Sequence, residues 1–229
     1  MEKLIITSIL SLHLILFPVV NSNINENNKM KADANISTES WNLVKSADKI
    51  SIYERWIKTD ENRTVRQLWA SMTVKASNNR IIEIIKDDKK ALQWQSGLKE
   101  FYRIKKIDDD NWYAYTLYGI PWPLNDQDIV TKYQVRHSRT DSKVKILMTG
   151  MPDYIPVNKG ISRISHYCGI WELTPLQNGF CRIDYYVYSK QKSSFPKWLV
   201  DPIVRTNLWN TFDNLRKIIN TNTVKAVES

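Results

Sequence analysis

The sequence lacks the residue patterns on which many enzyme active sites are built. It has three histidines and two cysteines in 229 residues, and only His137 and His166 lie beyond residue 22. It contains no Gly-x-Ser-x-Gly elbow, no His-Glu-x-x-His helix and no clustered Cys/His set. Cys168 follows His166 by two residues, but neighbouring strand positions of equal parity do not by themselves form a catalytic dyad. We therefore predict no catalytic residues, no metal site and no cofactor.

Patterns typical of nucleic-acid binding are also missing, although the net charge is +9. The sequence shows no Gly-rich phosphate loop, no RNA-binding aromatic signature and no helix-turn-helix pattern. The lysines are scattered along the chain, which favours a solvated face over a polyanion-binding patch. A basic surface is nevertheless attracted to anionic membranes. We expect no nucleic-acid partner.

Long apolar runs are absent apart from one at the N-terminus. Lys3 precedes the run at residues 4–20, and Val20 and Ser22 fit the small-residue rule for signal-peptide cleavage. The run also contains several polar residues, which makes it a poor membrane span of the usual length of about 20 apolar residues. We predict a signal peptide at 1–22, a flexible linker at 23–36, and export to the periplasm or the exterior. The alternative is a membrane anchor formed by an uncleaved N-terminus.

The two cysteines are not spaced for a disulfide. Cys168 and Cys181 lie on predicted strands joined by a turn at residues 175–179, with Cys181 near the turn and Cys168 four or five positions further along. At about 3.3 Å per residue this puts them more than ~13 Å apart. A disulfide requires Cα atoms within about 7 Å, so we predict two buried thiols without a disulfide, although export would permit one.

Aromatic residues are abundant, with nine Trp and eleven Tyr able to line a core or a cavity. Alternating apolar positions bounded by turn signals predict strands at residues 50–57, 65–74, 101–107, 112–120, 129–137, 143–149, 163–174 and 180–188. A short helix is predicted over about 37–47. A second, amphipathic helix begins at Ser77, and its apolar side consists of Ile81, Ile82, Ile84, Ile85 and Leu92.

The clearest helix pattern covers about residues 196–220. Its apolar stripe recurs every three or four positions and consists of Val200, Val204, Leu208, Phe212, Leu215 and Ile219. The helix would be about 37 Å long, enough to cross a domain. The order of elements predicts an α+β fold in which a curved antiparallel sheet wraps around this C-terminal helix. We place the domain at 37–221 and a disordered tail at 222–229.

The most specific pattern lies at residues 113–130. Strand alternation puts Tyr113, Tyr115 and Leu117 on one face and Trp112, Ala114, Thr116 and Tyr118 on the other. The two prolines that flank Trp122 break the strand ladder, and an acidic turn with Asp126 and Asp128 follows, in which Asp is common without any acid–base role. The segment resembles the Pro-Trp-Pro-Leu-x-Asp-Arg-Asp-x-Val corner of START (StAR-related lipid-transfer) domains, with Gln127 in place of Arg.

The resemblance to START domains extends over about residues 41–220. Residues 41–55 resemble the opening of the family's domain, and Asp87 followed by Trp94 resembles a helix end of the family. Residues 156–166 resemble the loop-to-strand segment of sterol-carrying members, while 171–175 and 195–199 resemble the final hairpin and lid. The family's acidic-Gly loop is replaced by residues 189–194. The chain is identified as a bacterial exported member of this family, in the helix-grip (START/Bet v 1-like) superfamily, which implies an internal apolar cavity.

The resemblance implies that this cavity binds a single lipid or sterol-like ligand, with transfer between membranes through transient membrane contact as a further expectation. It implies ligand contacts at Trp122, Arg163, His166, Val204, Leu208 and Phe212, and a gate at Met151, Tyr154 and Ile155. Simpler interpretations stay open. Arg163 would then form a surface ion pair, His166 would be a core histidine, Trp122 would pin the corner, and Leu208 and Phe212 would only fill the core.

We expect a monomer that is not an enzyme. Two other functions remain as alternatives at this point. One is a cavity-based cyclase or hydrolase of the same superfamily, because a fold alone does not exclude catalysis. The other is an interaction module whose interior is filled by side chains and holds no ligand.

Overall fold

The computed structural model describes residues 40–58, 62, 64–122, 124–189 and 197–225. The predicted signal peptide and linker lie outside these residues. The described part contains strands β1 (Asn42–Ala47), β2 (Ile50–Lys58), β3 (Thr64–Val74), β4 (Leu98–Lys106), β5 (Asn111–Tyr118), β6 (Gln127–His137), β7 (Val144–Gly150), β8 (Ser162–Arg163), β9 (Tyr167–Pro175) and β10 (Cys181–Ser189). Its helices are α1 (Asn78–Lys86), α2 (Asp88–Trp94) and α3 (Lys197–Lys225).

The strands form one sheet in the order β1-β2-β3-β10-β9-β7-β6-β5-β4. Neighbours on this path are antiparallel, while the short β8 pairs in parallel with β6. The central contact joins β3 to β10, with Val74 opposite Cys181, so the two ends of the domain meet in the middle of the sheet.

The main core lies between one face of this sheet, here called the inner face, and the helices. On β3 the inner face consists of Leu68, Ala70, Met72 and Val74, in the alternation expected of a half-buried strand. Helix α3 contributes Leu208, Phe212, Leu215 and Ile219 of the predicted stripe, all buried. The predicted α+β arrangement of a curved sheet around a long C-terminal helix is confirmed.

The first element is a strand, so the predicted helix at 37–47 is wrong where the structure describes it. Strand β1 pairs with β2 through a two-residue turn at Asp48 and Lys49. Both residues have left-handed backbones, with φ of 47° and 65°, as tight hairpin turns of this length require. Pairing with β2 therefore overrides the helical spacing of the apolar residues.

The predicted helix from Ser77 is two helices separated by Asp87. The Ser77 hydroxyl accepts a hydrogen bond from the backbone N–H of Arg80, which confirms the predicted cap. The Asp87 carboxylate accepts from the N–H groups of Lys89 and Lys90 and starts α2. Because the helical periodicity restarts there, Leu92 is 52% exposed, and its assignment to the apolar side was wrong.

The remaining differences lie near the C-terminus. The predicted strand 163–174 is divided into β8 and β9, and α3 continues to Lys225. Cys181 lies opposite Pro175, whereas Cys168 lies opposite Tyr188 at the other end of the same ladder. The two cysteines form no disulfide, as predicted, but only Cys181 is fully buried.

Candidate functional site

The candidate site is the space between the inner face of the sheet and helix α3. Phe212 of α3 is fully buried and stacks on Trp171 of β9, with ring centroids 5.7 Å apart. Trp171 in turn stacks on Tyr185 of β10 at 4.4 Å. Leu208, one turn before Phe212, belongs to the same core. The helical stripe predicted from the sequence therefore faces an aromatic floor.

Four tyrosines from four strands meet on this floor, and we call them the tyrosine cluster: Tyr118, Tyr133, Tyr167 and Tyr185. The hydroxyl groups of Tyr167 and Tyr185 are hydrogen-bonded at 2.7 Å. The Tyr118 hydroxyl donates to Gln95 Oε1 at 3.2 Å. The cluster thus places hydroxyl groups inside surroundings that are otherwise mainly apolar.

All four phenols are held in their neutral form. Burial raises the pKa of Tyr185 to about 12. Burial, followed by the proximity of the other phenols, also raises the pKa of Tyr118, Tyr133 and Tyr167. At neutral pH the cluster is therefore a set of uncharged hydrogen-bonding groups.

Several residues that face the interior are not fully packed. Tyr118, Tyr185, Val187 and Val204 border the main core yet keep accessible surface. Gly169 lies in the same region, and a Cβ added there would be 3.2 Å from Tyr167 Oη and 3.5 Å from Met148 Cβ. These four side chains are therefore only partly covered on the inner face, and a side chain at position 169 would crowd the Tyr167 hydroxyl.

A network of four charged side chains ties the N-terminal half of α3 to the sheet, and we call it the ionic network. Arg66 Nη1 lies 2.7 Å from Asp201 Oδ1 and 3.8 Å from Glu54 Oε2. Arg205 Nη2 lies 2.6 Å from Glu54 Oε1, and this hydrogen bond raises the pKa of Arg205. Glu54 and Arg66 occupy inward strand positions where apolar residues are usual. Charged residues at such positions are the sequence signal that could have predicted the ionic network.

Arg163 lies on the opposite, outer face of the sheet. Its Nε and Nη2 atoms donate to both carboxylate oxygens of Asp128, at 2.7 and 2.9 Å. The two side chains are 6% and 0% exposed, and the hydrogen bonds to Asp128 raise the pKa of Arg163. Arg163 also donates to the backbone carbonyls of Pro152, Ile155 and Pro156. Arg163 therefore forms neither a cavity contact nor a surface ion pair. It is a buried anchor for the loop that contains Pro152, Ile155 and Pro156.

The predicted gate residues belong to this anchored loop. Met151 and Ile155 pack against an outer-face cluster that consists of Tyr115, Leu117 and Val130. Tyr154 stacks on Tyr113 with ring centroids 4.3 Å apart. In this structure the loop covers the outer face of β5 and β6, so these three residues do not lie over the interior space.

The other predicted ligand contacts divide into two groups. Val204, Leu208 and Phe212 lie together along the inner side of α3. Trp122 is 92% exposed, and His166 is exposed with its Nδ1 2.9 Å from Ser165 Oγ. Neither is positioned to contact a molecule inside the domain. The tyrosine cluster was missed, although strand parity already put Tyr118 on the same face as Trp112.

A separate concavity of about 510 Å³ opens at the far end of the sheet from Tyr167. It lies where the β9–β10 turn meets the start of α1, and its lining includes Ser77, Lys143 and Phe180. Most of its lining residues are exposed, so it is a surface groove distinct from the interior space.

Neither a metal cluster nor a membrane-spanning helix occurs in the described part of the chain. No group of three or more His, Cys, Asp or Glu side chains is arranged there to hold a metal ion. None of the described helices combines the length and hydrophobicity needed to cross a membrane.

Comparison with solved structures finds the same fold in proteins from bacteria and humans. A STAR-related lipid transfer protein fragment from Xanthomonas axonopodis has 24% identity and a TM-score of 0.70, covering 80% of this chain and 99% of that chain. Human StAR-related lipid transfer protein 5 has 14% identity and a TM-score of 0.69, covering 87% and 95% respectively. Human STARD10 has 17% identity and a TM-score of 0.63, covering 89% and 84%.

A comparison with curated proteins gave no match. The family model of the START domain, in contrast, matches residues 23–225, which is nearly the whole chain beyond the predicted signal peptide. This match agrees with the curved sheet that grips α3. The chain therefore belongs to the START domain family.

Proposed function

We propose that the protein binds a single hydrophobic ligand, a lipid or sterol-like molecule, between the sheet and helix α3. The observation that carries this proposal is that the inward-facing residues Tyr118, Tyr185, Val187 and Val204 are only partly covered where they pack against the main core. Membership of the START family and the lipid-transfer names of the structural neighbours support it.

Binding would draw its free energy mainly from apolar contact. Leu208, Phe212 and Trp171 offer apolar walls, and each Å² of apolar ligand surface removed from water contributes about 25 cal/mol. A few polar groups suffice to orient a ligand in such a site, and the tyrosine cluster supplies them.

A binding role is better supported than catalysis. The phenols that face the interior are neutral, and the carboxylates of Glu54 and Asp201 are ion-paired with Arg205 and Arg66. The raised pKa of Tyr185 lies far from the working pH that a general base needs, and the two carboxylates are committed to their ion pairs. We therefore propose a carrier or sensor of the ligand, and transfer between membranes as its use.

Native mass spectrometry of protein purified gently from its own host tests the proposal. We expect an added mass that extracts into organic solvent as one class of hydrophobic compound. Val204→Trp should fill the interior space and lose the added mass while keeping its circular dichroism spectrum.

The matched control is Asn210→Trp, which adds the same side chain at an exposed position of the same helix and should keep the ligand. A bare wild-type protein that also shows no melting shift with any lipid of a broad panel would contradict the proposal. That result would favour an interaction module with a filled interior.

A further inference from the structure

We infer that the tyrosine cluster selects ligands whose only polar group is an uncharged hydroxyl or carbonyl, and discriminates against phosphate and quaternary ammonium head groups. This inference rests on the proposed function, because it concerns the ligand class of the same interior site. Three features support it: the hydrogen-bonding capacity of the tyrosine hydroxyl groups, the charged side chains that face the interior, and the arrangement of the aromatic rings.

The cluster has hydrogen-bonding capacity left for a neutral group. A phenol carries one donor and also accepts, so the single hydrogen bond between Tyr167 and Tyr185 uses only one of their two O–H donors. The other contact of the Tyr167 hydroxyl is a weak one, 3.9 Å from the Met148 sulfur. A ligand hydroxyl or carbonyl could accept the remaining donor.

The charges that face the interior do not favour an anion. In the described residues the ionic network brings two cations, Arg66 and Arg205, together with two anions, Glu54 and Asp201. Arg103 Nη2 donates to the carbonyl of Lys86 and to Asp88, while its Nε is buried without a hydrogen-bond partner among the described residues. A phosphate head placed beside the ionic network would lose its hydration next to two carboxylates as well as two guanidinium groups, and burying a charge in that way is costly.

In the part of the chain that the structure describes, the ring faces on the inner side of the sheet do not form an open cage for a quaternary ammonium group. Such a group is bound by exposed faces of aromatic rings. Trp112 is stacked on Tyr133 at 4.9 Å with an interplanar angle of 4°, and the Arg103 guanidinium lies 5.8 Å from its ring centroid. Trp171 is stacked with both Tyr185 and Phe212. The rings therefore use their faces on one another and offer hydroxyl groups to the space.

Lipids that share acyl chains but differ in head group test this inference. Delipidated full-length protein is titrated with dioleoylglycerol, dioleoylphosphatidylcholine and dioleoylphosphatidate, and also with cholesterol and cholesterol sulfate. Binding is measured by native mass spectrometry. We expect the uncharged member of each set to bind at least about tenfold more tightly than its charged or zwitterionic counterparts.

Removal of single hydroxyl groups tests whether the tyrosine cluster is responsible for the head-group selectivity. Tyr167→Phe and Tyr185→Phe should each weaken binding of the uncharged lipid by about fivefold, since a typical hydrogen bond is lost while the ring remains. The double variant should show less than the product of the two effects, because the hydroxyl groups are bonded to each other. Tyr113→Phe is the control. Tyr113 stacks on Tyr154 of the outer-face loop, so this variant should bind the lipid like the wild type.

The two proposals fail in different ways. Equal or tighter binding of phosphatidylcholine, phosphatidate or cholesterol sulfate overturns the selectivity and leaves lipid binding intact. Unchanged affinity in both Phe variants overturns the role of the cluster. Absence of binding for every lipid overturns the proposed function as well. Head-group selectivity of the wild-type protein is informative even if a variant does not fold.

Discussion

The ion pair of Asp128 and Arg163 shows how one residue can fix a loop. The Asp128 side chain has no accessible surface, and Arg163 satisfies both of its oxygens while also bonding three loop carbonyls. Breaking one side of a buried pair leaves an uncompensated charge, which costs far more than the pair itself contributes. The same residue therefore controls both stability and the loop on the outer face.

Arg163→Met should lower the free energy of unfolding by about 3–5 kcal/mol, because the Asp128 carboxylate is left buried without its partner. Urea unfolding measures the change. The double variant with Asp128→Asn should recover part of the loss, since the buried charge is then removed as well.

The control for this prediction is Lys99→Met. Lys99 pairs with Asp126 at 2.6 Å, but it is largely exposed, and exposed pairs contribute about 0–1 kcal/mol. A cost for Arg163→Met no larger than that of the control would show that the buried pair is not an anchor.

Helix α3 is held differently along its length. Its N-terminal half is attached to β2 and β3 by the ionic network, whereas its C-terminal half is attached by Phe212, Leu215 and Ile219. Salt screens ion pairs, although partly buried pairs such as these less than exposed ones, whereas apolar contacts carry no charge to screen. We therefore expect the N-terminal half to be the end of the helix that separates more easily from the sheet.

Arg205→Gln should speed release of a bound lipid several-fold, and raised salt should do the same in the wild type, because both weaken the attachment of this half of the helix. Stopped-flow transfer of a fluorescent lipid to vesicles measures the rate. Lys217→Gln is the control, since among the described residues Lys217 pairs with Asp213 of the same helix and not with the sheet.

Leu215→Ala should behave differently from Arg205→Gln. It removes a fully buried side chain and should cost about 2–5 kcal/mol of unfolding free energy. An equal effect of Lys217→Gln and Arg205→Gln on lipid release would contradict the two-part attachment of the helix.

The part of the fold that follows from apolar periodicity was predictable from the sequence, and the part that depends on turns and caps was not. The strands of the antiparallel run and the stripe on α3 follow from periodicity, because each element has one buried face. Strand β1 and the helix break at Asp87 could not be predicted from this periodicity. The tight turn at Asp48 favours the strand, and the second helix cap at Asp87 causes the break, against the local spacing of apolar residues.

The candidate site was predictable only where burial follows from periodicity. Leu208 and Phe212 were assigned to the interior from the helical repeat and lie there. The role of Arg163 was not predictable, because a loop of apolar residues does not reveal which face of the sheet it covers. The tyrosine cluster is assembled from four strands, so its geometry depends on the sheet order, which no local pattern specifies.

At the scale of the whole molecule, the N-terminal pattern carries a prediction about where the domain acts. We propose export, and we expect the exported protein to have an intact mass that begins at Asn23, because the residues before it fit a signal-peptide cleavage site. Ser22→Trp should block cleavage and keep the protein with the membrane fraction. Full-length wild-type protein in that fraction would support the uncleaved anchor instead.

The pairing of β3 with β10 has a consequence for the order of synthesis and folding. The strands β1 to β3 find their central neighbour only in β10, roughly a hundred positions later in the chain. Such long-range contacts are reached late, because a large loop must close before any contact is gained. A chain still growing on the ribosome therefore cannot complete its sheet until Ser189 has emerged. This delay would keep the nascent protein unfolded, which suits passage through a narrow translocation channel.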